Sequence, residues 1–186
     1  MNQTKALSTD ALLEALLFVA QEPVKEADLF SVTDLSQEEG QAGLDALSDR
    51  LSESGLSLQR MNGRVQLVSK PIAAPYVEEF LGLDISITLS QAAMETLAII
   101  AYAQPLTRPQ VETIRGVSSG SVLQTLLSAG LIEKAGRAES VGRPILYRTT
   151  FEFLEQFGLE SVDDLPSLEP PDTEGEEESE NDDADT

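Results

Sequence analysis

The chain has 186 residues, with 33 Asp plus Glu against 12 Lys plus Arg, a net charge of −21, and neither Cys nor His. That composition excludes thiol nucleophiles, disulfides, imidazole bases and the ligand sets of most zinc, copper and haem sites, leaving only a carboxylate magnesium or calcium site open. An acidic balance of this size also argues against a chain built to embrace nucleic acid, since that affinity rests on neutralised phosphates.

The opening stretch, MNQTKALSTDALLEALLFVAQEP, sets its apolar residues beside acids and Pro23, without the basic start or small-residue cleavage site of a secretory leader. No run approaches the roughly 18 apolar residues of a membrane span, and a cytosolic protein is expected. Leu13, Leu16, Leu17 and Ala20 fall on one face of a first helix. VKEADLF (24 to 30) reads as a short second helix. SQEE (36 to 39) pairs a Ser with a Glu three residues later, a reciprocal cap for a third helix that carries Leu44, Leu47 and Leu51 on one side. LSLQR and RVQLVS then alternate around Asn62-Gly63, a two-residue turn that needs positive φ at both central positions and sets Leu58 across from Leu67. PIAAPYVEEFLG (71 to 82) reads as a connecting helix with Tyr76, Val77, Phe80 and Leu81 along one side.

The pattern then recurs. AMETLAIIAYAQPL (93 to 106) resembles LLEALLFVAQEPV (12 to 24), with Glu95 matching Glu14 and Pro105 matching Pro23. Ala93, Leu97, Ile100 and Ala101 share a helix face. TRPQVETIRGV (107 to 117) has a Thr cap, Pro in its first turn, Gln110 in the capping-box position and Gly116 as its stop. SSGSVLQTLLSAG (118 to 130) turns Val122, Leu123, Leu126 and Leu127 inward and stops at Gly130. LIEKAGR (131 to 137) and RPILYRT (143 to 149) form a hairpin with a longer tip. TFEFLEQFGL (150 to 159) reads as a closing helix packed through Phe153, Leu154 and Phe157.

Three helices followed by a two-stranded wing, written twice, predict two tandem winged-helix domains, mainly α with small β wings (α+β): residues 1–83 with the connecting helix and 84–168 with the closing helix. Residues 169–186 contain ten acids and no base, which leaves 23 acids against 12 bases elsewhere. Such a segment cannot bury enough apolar surface to offset chain entropy and is expected to be disordered.

No nucleophile, base and metal-ligand spacing in the chain is diagnostic of catalysis, and no phosphate-binding glycine motif follows a strand. Asp163-Asp164 reads as solvated charge. Neither a cofactor nor a resident metal is expected, and a carboxylate-metal hydrolase ranks last among the functional readings. A dimeric winged-helix DNA-binding transcription regulator ranks above it. Its reading helices, however, are the third of each domain. Residues 34–53 hold six acids against Arg50 alone, and 118–130 hold neither Lys nor Arg, so neither helix suits a grooved polyanion. Between positions 108 and 148 six bases outnumber three acids, which leaves weak, non-specific phosphate contact through the second wing open.

LSQAAMETLAIIAYAQPLTRPQVETIRGV (89 to 117), LLSAGLIE (126 to 133), VGRPILYRTT (141 to 150) and FLEQFGLESVDDLPSL (153 to 168) closely resemble the segregation and condensation protein B (ScpB) family. EALLFVAQEPV and MNGRVQLVSKPIAAPYVEEFLG resemble it more loosely. The resemblance implies a non-catalytic subunit of the bacterial SMC complex that forms homodimers and binds the kleisin ScpA, and through it SMC, in chromosome condensation and segregation at the nucleoid. Together with the basic excess it directs partner binding to the second wing, with Arg137, Gly142, Arg143 and Pro144 at the tip and Ile145 and Tyr147 on its strand. Together with the apolar side Tyr76, Val77, Phe80 and Leu81 it directs dimerisation to the first domain and the connecting helix.

Overall fold

The computed structural model describes residues 7–82 and 89–168; the remaining residues, including the acidic segment read above as disordered, lie outside the described residues. In the first half α1 (Thr9–Val19), α2 (Glu26–Val32) and α3 (Gln37–Leu51) precede β2 (Leu56–Met61) and β3 (Arg64–Ser69), with a short β1 (Val24–Lys25) between α1 and α2. The second half repeats the order as α5 (Gln91–Ala103), β4 (Leu106–Thr107), α6 (Arg108–Arg115), α7 (Gly120–Ser128), β5 (Ile132–Arg137) and β6 (Ile145–Thr149). Between the halves stands α4 (Ala74–Leu81), and α8 (Phe151–Phe157) closes the second.

Local chemistry starts these elements where the sequence places it. Ser36 Oγ accepts the Glu39 N–H at 3.2 Å while a Glu39 carboxylate oxygen accepts the Ser36 N–H at 3.0 Å. The Gln110 side-chain oxygen accepts the Thr107 N–H at 2.8 Å. Asn62 and Gly63 have φ of 54° and 71°, and the turn they make pairs Leu58 with Leu67 as expected.

Three expectations change. Each wing is a three-stranded sheet, ordered β1-β3-β2 and β4-β6-β5, because the residues just before α2 and α6 are extended and pair with the returning strand. The helix expected from position 24 therefore begins at Glu26. The connecting helix expected over 71 to 82 divides into a 3-10 turn, Pro71–Ala73, and α4, whose second residue is Pro75.

Two cores result. Leu13, Leu17, Leu29, Phe30, Leu44, Leu47, Leu51, Leu58 and Val65 bury the first, where α3 approaches its neighbours through glycines. A Cβ at Gly40 would collide with the Phe30 ring, and one at Gly43 would stand 2.6 Å from Thr9 Cγ2. The second core gathers Leu97, Ile100, Val111, Leu123, Leu126, Leu131, Ile132 and Leu154. It also contains Met61, from the hairpin of the first half. Around Met61 the halves are bonded directly: the Arg60 N–H donates to Glu160 O at 2.9 Å, Gln59 Nε2 to Leu159 O at 2.7 Å and Gln66 Nε2 to a Glu155 carboxylate oxygen at 2.8 Å.

Candidate partner-binding surfaces

The second wing is built from a hairpin in which Ile132 faces Thr149, Lys134 faces Tyr147 and Arg137 faces Ile145, with a bulge between Lys134 and Gly136. Residues directly opposite share a face, so Lys134 and Arg137 stand on the side where Ile145, Tyr147 and Thr149 meet the core. The tip is tightly bonded. The Arg143 N–H donates to Ser140 O at 2.9 Å, the Ala138 N–H to Pro144 O at 2.9 Å, and Arg137 Nη1 to Arg143 O at 3.0 Å. Gly142 and Arg143 both take positive φ, 83° and 42°, which glycine adopts freely and arginine only under constraint.

These contacts separate the residues that the sequence groups together. Arg137, Gly142 and Arg143 are exposed, Pro144 and Ile145 half-buried, and Val141, not singled out in the sequence, is fully exposed. Tyr147 lies in the core at 9% exposure, opposite Leu106 of β4. It supports the wing from beneath and does not line an outer groove, because alternation along β6 sends it inward with Thr149. Among the described residues the Arg143 guanidinium makes no hydrogen bond or ion pair, whereas that of Arg137 holds the tip.

The equivalent tip of the first wing is occupied: Met61 is in the second core, and Asn62 lines clefts of about 360 and 330 Å³ against Arg148, Ala135 and Glu133. The third helices offer little positive charge. Arg50, the one base of α3, is bonded to Asp10 at 2.7 Å and Glu14 at 2.8 Å. Arg60 is likewise taken up by Glu26, Asp45 and Gln41. Outward from α7 stand Ser121, Gln124, Thr125 and Ser128, all exposed and uncharged.

The turn before α7 is held by one carboxylate. Glu112 accepts the Ser119 N–H at 2.8 Å, the Arg108 Nε–H at 2.8 Å and the Ser118 hydroxyl at 3.2 Å. The Ser119 N–H first, then Arg108, holds this carboxyl below the usual carboxylate range.

On α4, Tyr76, Phe80 and Leu81 are 75%, 87% and 57% exposed, Val77 is half-buried, and Ile72 just before the helix is 82% exposed. No residue of α4 is buried. Among the described residues nothing covers this apolar helix side, and exposed apolar patches mark interaction surfaces. Among the described residues no group of three or more Asp or Glu could hold a metal ion, and no helix is long and apolar enough to cross a membrane.

The joint between the halves, Gln59 to Met61 against Leu159 and Glu160, is almost invisible in the sequence. Its one visible sign is Met61, an apolar residue directly before the Asn62-Gly63 turn.

The family model for the segregation and condensation complex subunit ScpB matches residues 11–168. Segregation and condensation protein B of Geobacillus kaustophilus is 44% identical over 178 residues, covering 94% of this chain and 82% of the relative. The crystal structure of ScpB from Mycobacterium tuberculosis is 36% identical, with 83% of this chain and 99% of that one covered and a TM-score of 0.39. A crystal structure of a dimer of the ScpB N-terminal domain complexed with ScpA peptide is 27% identical over 38% of this chain and 91% of that one, with a TM-score of 0.36.

Proposed function

The chain belongs to the ScpB family of segregation and condensation complex subunits, and on that premise we propose that it is a non-catalytic subunit of an SMC complex that binds the kleisin ScpA. It works in the cytoplasm at the nucleoid, in chromosome condensation and segregation, and reaches SMC through the kleisin. Its own copies pair through α4.

One observation supports the second wing as the kleisin surface: of the two hairpins, the first is consumed by the joint with the second core, while the second carries its tip, Val141 to Arg143, into solvent. A rigid tip costs little ordering on binding, and its bonded turn is already set. Arg143 is the better probe of the two arginines, because Arg137 is engaged within the hairpin. The regulator reading loses ground for the same reasons: one wing is spent, and the third helices bring no free cation to a groove.

Calorimetry with purified kleisin tests the reading. Arg143→Glu weakens binding while circular dichroism stays that of the parent; an unchanged dissociation constant with a folded variant rejects the wing and redirects the search to the connecting helix.

A further inference from the structure

We propose that the acidic segment Glu169–Thr186 docks in cis on the second wing, over Lys134, Arg137 and Arg143, as an electrostatic strap. The proposal stands apart from the kleisin reading, and the experiment below contains no kleisin.

The wing is where the described surface has cations to spare. Arg50, Arg60, Arg108, Arg115 and Arg148 are each bonded to at least one carboxylate. Among the described residues six bases lack such a partner: Lys25, Arg64 and Lys70 in the first half, and Lys134, Arg137 and Arg143 on the wing. The first three sit in a half whose described acids, from Asp10 to Glu79, number thirteen against five bases. The wing trio stands on one hairpin, where Glu139 is the only unpaired acid. In a chain of net charge −21 this hairpin is the local positive pole.

The segment has the complementary chemistry: ten acids, no base, and no apolar side chain larger than Pro. Its attachment is also well placed. The Tyr102 hydroxyl, at the end of α5, donates to Pro166 O at 2.7 Å, which anchors the described chain two residues before its end at Leu168. From Tyr102 the route to the tip runs four residues to Leu106, across to its partner Tyr147 and four residues along to Arg143, about 30 Å at extended spacing. Eighteen residues span about 60 Å when extended and roughly 23 Å on average as a flexible chain. Linkers of this length give effective concentrations on the order of millimolar. A contact of millimolar intrinsic strength is therefore about half occupied, and it is salt-sensitive because all of its partners are exposed.

Nitrogen-proton NMR of the full chain tests this. One variant converts the ten acids to amides (Glu169→Gln, Asp172→Asn and the same change at the other eight); the other is Lys134→Glu with Arg143→Glu, two side chains without internal bonds. At about 0.01 M salt, where the Debye length is roughly 30 Å, the amides of 134–143 differ between the parent and the amidated variant. The difference closes at about 1 M salt. A synthetic peptide of residues 169–186 shifts the same amides of the amidated variant, and it does not shift those of the doubly reversed wing. Superimposable wing resonances at low salt, or a difference that survives in the reversed wing, overturn the strap. So does a peptide footprint centred on any other surface.

Discussion

Thr149 Oγ1, at the end of β6, lies 3.9 Å from the sulfur of Met61, at the tip of the β2–β3 hairpin. The same hydroxyl donates to the Gln104 side-chain oxygen at 3.0 Å, so the hairpin of the first half, the last strand of the second and the proline-ended α5 meet at one point. The repeat in sequence is thus not a repeat in role.

Met61 is 8% exposed and belongs to the second core. Met61→Ala removes that filling and destabilises the chain by about 2–5 kcal/mol, the range for buried methionine truncation. Urea unfolding at equal protein concentration measures it. The variant also separates the two halves into distinct transitions, and a loss below about 0.5 kcal/mol with unchanged cooperativity would show that the joint carries no stability.

Gly158 ends α8 with φ of 67°, and a Cβ there would stand 2.7 Å from Pro71 Cγ. Gly158→Ala combines left-handed strain with a collision between the two halves and costs about 1–3 kcal/mol. Adding Pro71→Ala removes the colliding Cγ and recovers part of the loss. If the double variant is no more stable than the single one, the strain lies in the backbone alone.

Glu112 is held below its ordinary pKa by the Ser119 N–H, Arg108 and Ser118. A depressed carboxyl contributes stability that is present above its unfolded value of 4.5 and lost as pH falls through the folded one. Glu112→Gln should therefore be less stable than the parent at neutral pH, with the gap narrowing below that value. Thermal midpoints from pH 7 to pH 3 read it, at modest amplitude because the group is partly open to solvent. A gap that stays constant to pH 3 removes the charge from the account.

Phe80 is 87% exposed on α4. Phe80→Glu leaves the monomer fold intact and lowers the light-scattering mass at micromolar concentration from two chains to one. A parent of single-chain mass, or a variant that remains paired, excludes this face.

Elements with a local cause were legible from residues alone. Ser36 with Glu39, Thr107 with Gln110 and Asn62 with Gly63 each announce a geometry within four residues, and the structure has all three. The family resemblance, carried by the second half, extends to the match over residues 11–168. The two-residue strands β1 and β4 were not legible, because two residues have no period and their pairing depends on strands about 40 residues away. Of the candidate wing residues, Tyr147 was misplaced although its signal existed: it is two residues from Thr149, and the two alternate inward together. The joint through Gln59, Arg60 and Met61 had no local signal beyond apolar Met61 at the turn, since its partners stand about a hundred residues on.

The shared Met61 also bears on how the protein is made. Its neighbour Thr149 leaves the ribosome 88 residues later, about 4–18 seconds at ordinary elongation rates. During that interval the newborn first half presents an apolar tip whose socket has not been synthesised, and the second half, emerging last, closes around a plug already made.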